Sequence, residues 1–351
     1  MRARKSAAVF ANACGSDSGN SEDTISPMKA VVYTKYGPPD VLQLQEIEKP
    51  SPKDDEVLVK VHAASLNALD WRPFTFPLIF VRLMRGGLRE PKNRTFGVDL
   101  AGRVEAVGAV VKQFRPGDEV FGQGWGACGE YVCAREKNLA LKPGNLSFEA
   151  AAAVPAAALT ALLAVRDKGN IQPRHNILIN GAGGGVGTFS VQIAKSFGAE
   201  VTAVCSTRNL DISRSIGADY VIDYTQEDFT KRGERYDLII AVNGYHSIFD
   251  YRRALKPTGT YVVLGGAMAQ MLQVILLGPI LSRLGNQKMR GMFTRPGEKD
   301  LTFLKELLEA GKVAPVIDRC YPLSDVAEAV KYLLEGHPHG KVVIAVASSA
   351  Q

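Results

Sequence analysis

Residues 176–197, N-I-L-I-N-G-A-G-G-G-V-G-T-F-S-V-Q-I-A-K-S-F, limit the fold of this chain more than any other stretch. Ile177, Leu178 and Ile179 form a short apolar run ahead of a glycine-dense turn. Val186, Phe189, Ile193 and Phe197 then recur at helical spacing until Gly198. The pattern predicts strand, tight turn and helix. Glycines in such a turn let the backbone approach a ligand closely. The helix behind them presents free N–H groups and the positive end of its dipole. Pyrophosphate is the group held this way in a βαβ unit, so the stretch points to a dinucleotide site. Gly184, Gly185 and Gly187 align with the G-x-G-x-x-G pattern, and Ala182 stands where its first glycine would be.

The surroundings supply the βαβ context. From residue 176 onward, near-continuous apolar strands are expected at 176–180, 201–205, 220–223, 237–242 and 259–264, with a sixth at 288–293. Helices are expected near 210–216 and 247–255. This alternation predicts a doubly wound parallel sheet covered on both faces. Before residue 150 the texture is different: short β-branched runs at 29–33, 41–46, 56–63, 97–107, 119–122, 131–134 and 139–142 are punctuated by Gly and Pro. They predict a small, partly closed barrel. Ser147 caps a short helix, and an alanine-rich one follows at 155–167. Amphipathic helices at 299–310 and 324–335 and a strand at 341–346 are expected to return to the β-rich part. The domain expectation is therefore 1–27 as a tail or processing segment, 28–150 plus 295–351 as the β-rich domain, and 151–294 as the dinucleotide domain.

Composition excludes several alternatives. The 351 residues are long enough for two cores, and 42 basic against 36 acidic residues are well mixed, so no basic stripe favours nucleic acid. The five cysteines are scattered; Cys128 and Cys133 have no second pair nearby, which argues against a zinc lobe or disulfide framework and fits a reducing cytoplasm. The apolar insert at 267–281 is too short for a spanning helix, which needs about 20 residues. His62 reads as a strand residue, and His337 and His339 as solvated loop residues. No acid–base motif stands out, which suits hydride transfer, where a cofactor carries the chemistry.

The strand after the glycine turn ends in Cys205-Ser206-Thr207-Arg208. NAD-selective sites place an Asp or Glu at about this distance. Two hydroxyls and a guanidinium would instead bind a 2′-phosphate, which favours NADPH.

Taken together, G-G-V-G at 184–187, A-S-L-N-A-L-D-W at 64–71, G-V-D-L-A-G at 97–102, P-G-D-E-V at 116–120 and G-A-D at 217–219 resemble the medium-chain dehydrogenase/reductase superfamily. The likeness is to its zinc-free quinone oxidoreductase branch, and the insert is similar to the subgroup containing the chloroplast envelope quinone oxidoreductase homologue. The resemblance implies a GroES-like β-rich domain beside a Rossmann domain. It puts the catalytic zinc ligands of related alcohol dehydrogenases at Asn67, Val98 and close to Ala156, none of which is a Cys or His. Without that Lewis acid, electron-poor acceptors such as quinones and α,β-unsaturated carbonyls are the expected substrates.

The resemblance further implies that Asn67 lies beside the nicotinamide and orients the substrate. It assigns Thr160, Leu264 and Gly265 to the nicotinamide end, and Gly184, Gly185, Val186 and Gly187 to the pyrophosphate. Ser206, Arg208 and Tyr224 surround the 2′-phosphate, and Lys341 closes the cofactor groove from the tail. Asp70 and Asp99 are expected to hold turns around the site. The segment 74–94 is expected to rim the substrate cleft, and the chain to act as a monomer or homodimer. Two other readings stay open at this stage. One is a non-catalytic NADPH-binding role, crystallin-like or RNA-binding. The other is a peripheral membrane protein whose contact is the insert.

Overall fold

The computed structural model describes residues 27–68, 70, 71, 91, 94–291, 297–336 and 338–347. The expected tail, apart from Pro27, and nearly all of segment 74–94 lie outside the described residues, as does His337.

A hairpin of β1 (Pro27–Val32) and β2 (Gln43–Glu48) opens the described residues. It is followed by β3 (Glu56–Leu66), β4 (Asp99–Val107), β5 (Glu119–Gln123), β6 (Tyr131–Arg135) and β7 (Leu139–Leu141). Eleven residues long, β3 is the spine of this part. Its first half pairs with β6, and its far side pairs with β4 along most of its length. Alternate residues Val57, Val59 and Val61 enter a core with Leu100, Val104, Val120 and Val132. Ser147 accepts a hydrogen bond from the Ala150 N–H at 3.2 Å and so caps α1 (Phe148–Ala152) as expected. Next comes α2 (Pro155–Leu162), whose alanines are small enough to sit between the two sheets.

The second sheet is built from β8 (Asn176–Asn180), α3 (Gly185–Ser196), β9 (Glu200–Cys205), α4 (Leu210–Ser215), β10 (Tyr220–Asp223), β11 (Tyr236–Ala241), α5 (Ile248–Ala254), β12 (Leu255–Val263), α6 (Met268–Leu284) and β13 (Lys288–Gly291). All six strands are parallel, in the order β10-β9-β8-β11-β12-β13. Ile177 and Ile179 face one buried layer and Leu178 the other, which is why the run shows no polar alternation. This is the doubly wound sheet expected from the sequence. Ligands bind such a sheet at the carboxyl ends of its strands, where the order reverses next to β8.

Several boundaries differ from expectation. β12 begins at Leu255, which pairs with Tyr236 ahead of an irregularity in the register, rather than at Gly259. The insert is α6, a 17-residue helix with Pro279 inside it; no described helix is long and apolar enough to cross a membrane. The tail comprises α7 (Glu298–Glu309), β14 (Ile317–Pro322), α8 (Val326–Leu334) and β15 (Lys341–Ala345). β15 pairs antiparallel with the second half of β3 and returns the chain to the barrel sheet. β14, which flanks it in parallel, was not expected: none of its six residues is buried, so no hydrophobic period marks it.

Candidate active site

The glycine turn follows from local sterics. Gly181 leaves β8 at φ +93°, a conformation that costs a side-chain-bearing residue energy. The turn therefore depends on Gly181, one position before the Ala182 singled out by the motif. Gly187 packs against it; a Cβ there would lie 2.1 Å from the Gly181 carbonyl oxygen. Gly184 caps α3 in an extended conformation, and the first helical bond runs from Thr188 N–H to its carbonyl at 2.9 Å. The N–H groups of Gly185, Val186 and Gly187 precede that bond and have no intrahelical acceptor. A Cβ on Gly184 would meet no protein atom within 4 Å, so the turn leaves open space where an anion can approach. These features fit a dinucleotide pyrophosphate.

The tail docks on this turn. Gly340 N–H donates to the Gly183 carbonyl at 3.0 Å, in an isolated bridge between residues 184 and 340. Gly340 has φ +103°, and a Cβ there would lie 2.3 Å from the Val316 carbonyl oxygen. Pairing of β15 with the end of β3 then carries Lys341 inward. Its stem lies where a Cβ on Gly185 would touch its Cδ at 2.7 Å. Its ammonium donates to Asn67 Oδ1 at 2.5 Å and to the Leu66 carbonyl at 3.0 Å. Lys341 is only 3 % exposed.

Asn67 sits between two opposite charges. Its Nδ2 donates to Asp99 Oδ2 at 2.9 Å, while its Oδ1 accepts from Lys341. Its backbone N–H donates to Asp70 Oδ2 at 2.7 Å, so Asp70 fixes the turn that ends β3. Asp99, fully buried, also accepts from Gln123 Nε2, Ser65 Oγ and the Ala156 N–H, and lies 3.8 Å from the Lys341 ammonium. Burial pushes the Asp99 carboxyl upward; Lys341 and these donors pull it back. Burial likewise lowers Lys341, against the attraction of Asp99 and Asp70. The donors around the carboxylate and the acceptors around the ammonium favour the ionised pair. The sequence reading gave Asp99 only a turn-holding part; in the structure it joins β3, β4, β5 and α2.

The three positions matched to zinc ligands thus gather around Asp99: Asn67 and Ala156 bond to it, and Val98 precedes it. Among the described residues no group of three His, Cys, Asp or Glu side chains could hold a metal ion. Cys128 and Cys133 are free thiols, and burial raises both. Thr160 lies one helical turn beyond Ala156, half-buried on the same side of α2. Leu264 and Gly265 follow β12, tied by their N–H groups to the Ala241 carbonyl.

Ser206, Arg208 and Tyr224 gather at the ends of β9 and β10, where Tyr224 N–H bonds the Cys205 carbonyl at 3.1 Å. Arg208 lines a groove with Arg319, Tyr332 and His339 of the tail. Here the loop residue His339 is half-buried and has a specific partner. Its Nδ1 meets Asn209 Oδ1 at 2.6 Å, and Asn209 reaches Ser206 Oγ at 3.3 Å, because the tail strand crosses directly over this turn. Asp223, not singled out from the sequence, also faces the turn. Its carboxylate accepts from the Thr207 and Thr225 hydroxyls, which hold its pKa down and satisfy its oxygens. His62 stacks on Phe148 at 4.1 Å, with its pKa lowered by burial, away from the cleft. The structure therefore joins Asn67, Lys341 and Gly185 by direct contact. It gathers Ser206, Arg208 and Tyr224, the residues expected at a 2′-phosphate, separately and links them to the turn through Asn209, which packs against Gly183.

Two family models match the chain: alcohol dehydrogenase GroES-like domain over residues 53–162 and zinc-binding dehydrogenase over 216–344. The 2-methylene-furan-3-one reductase of Solanum lycopersicum is 37% identical over 351 residues, spanning 95% of this chain and 82% of that one. The chloroplastic NADPH-dependent alkenal/one oxidoreductase of Arabidopsis thaliana is 35% identical, spanning 90% and 79%. The chloroplast envelope quinone oxidoreductase homolog of Arabidopsis thaliana is 32% identical, spanning 90% and 98%. Among solved structures, the quinone oxidoreductase from Coxiella burnetii superposes with a TM-score of 0.79 at 29% identity, over 92% of this chain and all of that one. With this fold, this glycine turn and relatives matched over nearly their full length, the chain belongs to the medium-chain dehydrogenase/reductase superfamily, in its quinone oxidoreductase-like branch.

Proposed function

We propose that this oxidoreductase is an NADPH-dependent reductase of α,β-unsaturated carbonyls and quinones that works without a catalytic metal. The observation that carries the reading is the Lys341 bridge. One side chain touches the glycine turn at Gly185 and the amide of Asn67, so the cofactor cradle and the polar group facing substrate share a wall. When bound, the dihydronicotinamide supplies the hydride. The N–H groups of Gly185, Val186 and Gly187 hold the pyrophosphate, while Ser206, Arg208 and Tyr224 take the 2′-phosphate. Thr160, Leu264 and Gly265 flank the nicotinamide end.

Asn67 has two N–H donors on Nδ2. One is committed to Asp99; the other reaches only the Ser65 carbonyl, at 3.5 Å, and is free to turn to a substrate oxygen. Lys341 withdraws electron density from the amide through Oδ1 and strengthens that donor. The free Nδ2 donor meets the enolate or hydroquinone oxygen left by hydride addition, and solvent then delivers the proton. The names of two relatives, a 2-methylene-furan-3-one reductase and an alkenal/one oxidoreductase, support this substrate class. The test is a panel of 1-octen-3-one, 2-hexenal, 9,10-phenanthrenequinone, hexanal and 1-hexanol, following NADPH or NADP absorbance. Turnover of the first three and not of the saturated pair is expected. Activity on 1-hexanol with NADP, abolished by a chelator, would overturn the reading.

A further inference from the structure

α6 carries apolar residues on both sides. Its inner side carries Gln270, Val274 and Gly278 against the sheet, with Gln270 Nε2 hydrogen-bonded to the buried Tyr261 hydroxyl. Its outer side exposes Met268, Leu272, Ile275, Leu276, Ile280 and Leu284, at spacings that keep them on one stripe. No Asp, Glu, Lys or Arg occurs between Met268 and Ser282. Under the helix lies a cavity of about 270 Å³ lined by Val263, Leu264, Met271, Val274, Ile275, Pro279, Met289 and Gly291. Every lining side chain is apolar. A dry cavity of about 150 Å³ already accepts a benzene-sized guest, so this one has room for a hydrocarbon substituent. Its position is specific. Leu264 follows the carboxyl end of β12, and Gly291 closes β13 at the same end of the sheet. Ile275 and Pro279 border the cavity and are also exposed, so it opens onto the outer stripe of α6.

We infer that this cavity is the binding site for the hydrocarbon tail of the substrate. Val263, Val274 and Met289 of the cavity pack in the core on the α5 side of the sheet, whereas α2 and Leu264 pack in the core on its other face. A substrate whose carbonyl meets Asn67 therefore sends its tail round the end of β12 at Leu264 to pass beneath α6. This rests on the reductase reading above and narrows it to enones or quinones bearing an alkyl or isoprenoid chain. With no polar or charged side chain in its lining, the cavity discriminates mainly by buried apolar area.

The test uses the full chain with NADPH and a series of 1-alken-3-ones from butenone to dodecenone. Each buried methylene is expected to lower KM about fourfold, the equivalent of about 0.8 kcal/mol, until the cavity is filled, with kcat changing little. Ile275→Asp, at a half-exposed position that tolerates charge, should flatten this dependence. Leu284→Ser, on the same stripe but away from the cavity, should preserve it. If no enone is turned over, binding still distinguishes the two claims. 2-Dodecanone, which has no reducible C=C bond, should protect the protein thermally where 2-butanone does not, and Ile275→Asp should abolish that protection. Loss of turnover with protection intact would refute the reductase reading but keep the tail site. Chain-length independence of both KM and thermal protection would overturn the tail site. So would a stripe that instead holds a second copy or anionic vesicles, seen as a dimer or co-sedimentation lost in Leu284→Ser without any chain-length effect.

Discussion

Replacing Lys341 by Met removes a charge while keeping most of the side-chain volume, and the structure fixes what is left behind. The Lys341 ammonium lies 3.8 Å from a fully buried Asp99 carboxylate. At about 4 Å and an effective dielectric constant of about 20, such a pair attracts by about 4 kcal/mol. Asp99 keeps its bonds from Asn67, Gln123, Ser65 and Ala156, which offset part of the loss. Breaking one side of a buried pair costs about 3–5 kcal/mol, and those donors put Lys341→Met near the lower figure. Asp99→Asn should cost a similar amount, because it strands the ammonium among only the Leu66 carbonyl and Asn67 Oδ1. The double variant strands neither charge, so its loss should fall short of the sum by about 2 kcal/mol or more.

The pH dependence has a definite sign. Burial already raises Asp99, and losing Lys341 raises it further. A carboxyl with folded pKa above its unfolded value binds protons preferentially in the folded state. Its contribution is complete below the unfolded value of about 3.9 and is lost as pH rises through the folded value. The Lys341→Met deficit should therefore be largest at neutral pH and shrink on acidification toward pH 5. Urea denaturation followed by Trp71 and Trp125 fluorescence at several pH values measures all four proteins. Strict additivity of the single losses, or a deficit that grows on acidification, would refute an ionised, coupled pair.

The cofactor reading makes sharper demands on two other positions. Arg208→Glu removes a charge-assisted bond worth about 1.5–3 kcal/mol and should raise KM for NADPH about 10- to 100-fold while leaving NADH nearly unchanged; an unaltered ratio of the two would refute the assignment of Arg208 to the 2′-phosphate. Two alanines in the glycine turn should separate binding from folding. Gly184→Ala meets no protein atom and should cost at most about 1 kcal/mol of stability as an N-cap, yet weaken NADPH binding about tenfold or more, about 1.4 kcal/mol. Gly187→Ala forces a Cβ onto the Gly181 carbonyl and should destabilise the fold by about 3 kcal/mol or prevent it from forming. Thermal denaturation with and without NADPH measures both variants.

What could be read in advance was what depends on neighbours along the chain. Ile177, Leu178 and Ile179 announce a strand buried on both faces, Ser147 announces a helix start, and the glycines announce a turn, because each signal lies within a few residues of its effect. β14 escaped because a strand that buries nothing leaves no hydrophobic period. The partner of His339 escaped because Asn209, which meets its Nδ1, lies 130 residues earlier. Lys341 is the most instructive residue. Only the resemblance to the family pointed to it, as a residue closing the cofactor groove from the tail; nothing in its neighbours along the chain marks it as buried. Its burial follows only when β15 pairs with β3 and the tail bridges to the glycine turn, bringing it to an amide 274 residues away. The positions matched to zinc ligands gave the complementary clue, since Asn67, Val98 and Ala156 revealed which ligand types were missing. The replacement, a carboxylate and an ammonium gripping one amide from opposite sides, depends on contacts among β3, β4, β5, α2 and β15. Such a site can hold Asn67 in one orientation only while the tail stays docked on the turn. Cofactor binding at that turn and the alignment of Asn67 are therefore parts of a single packing arrangement.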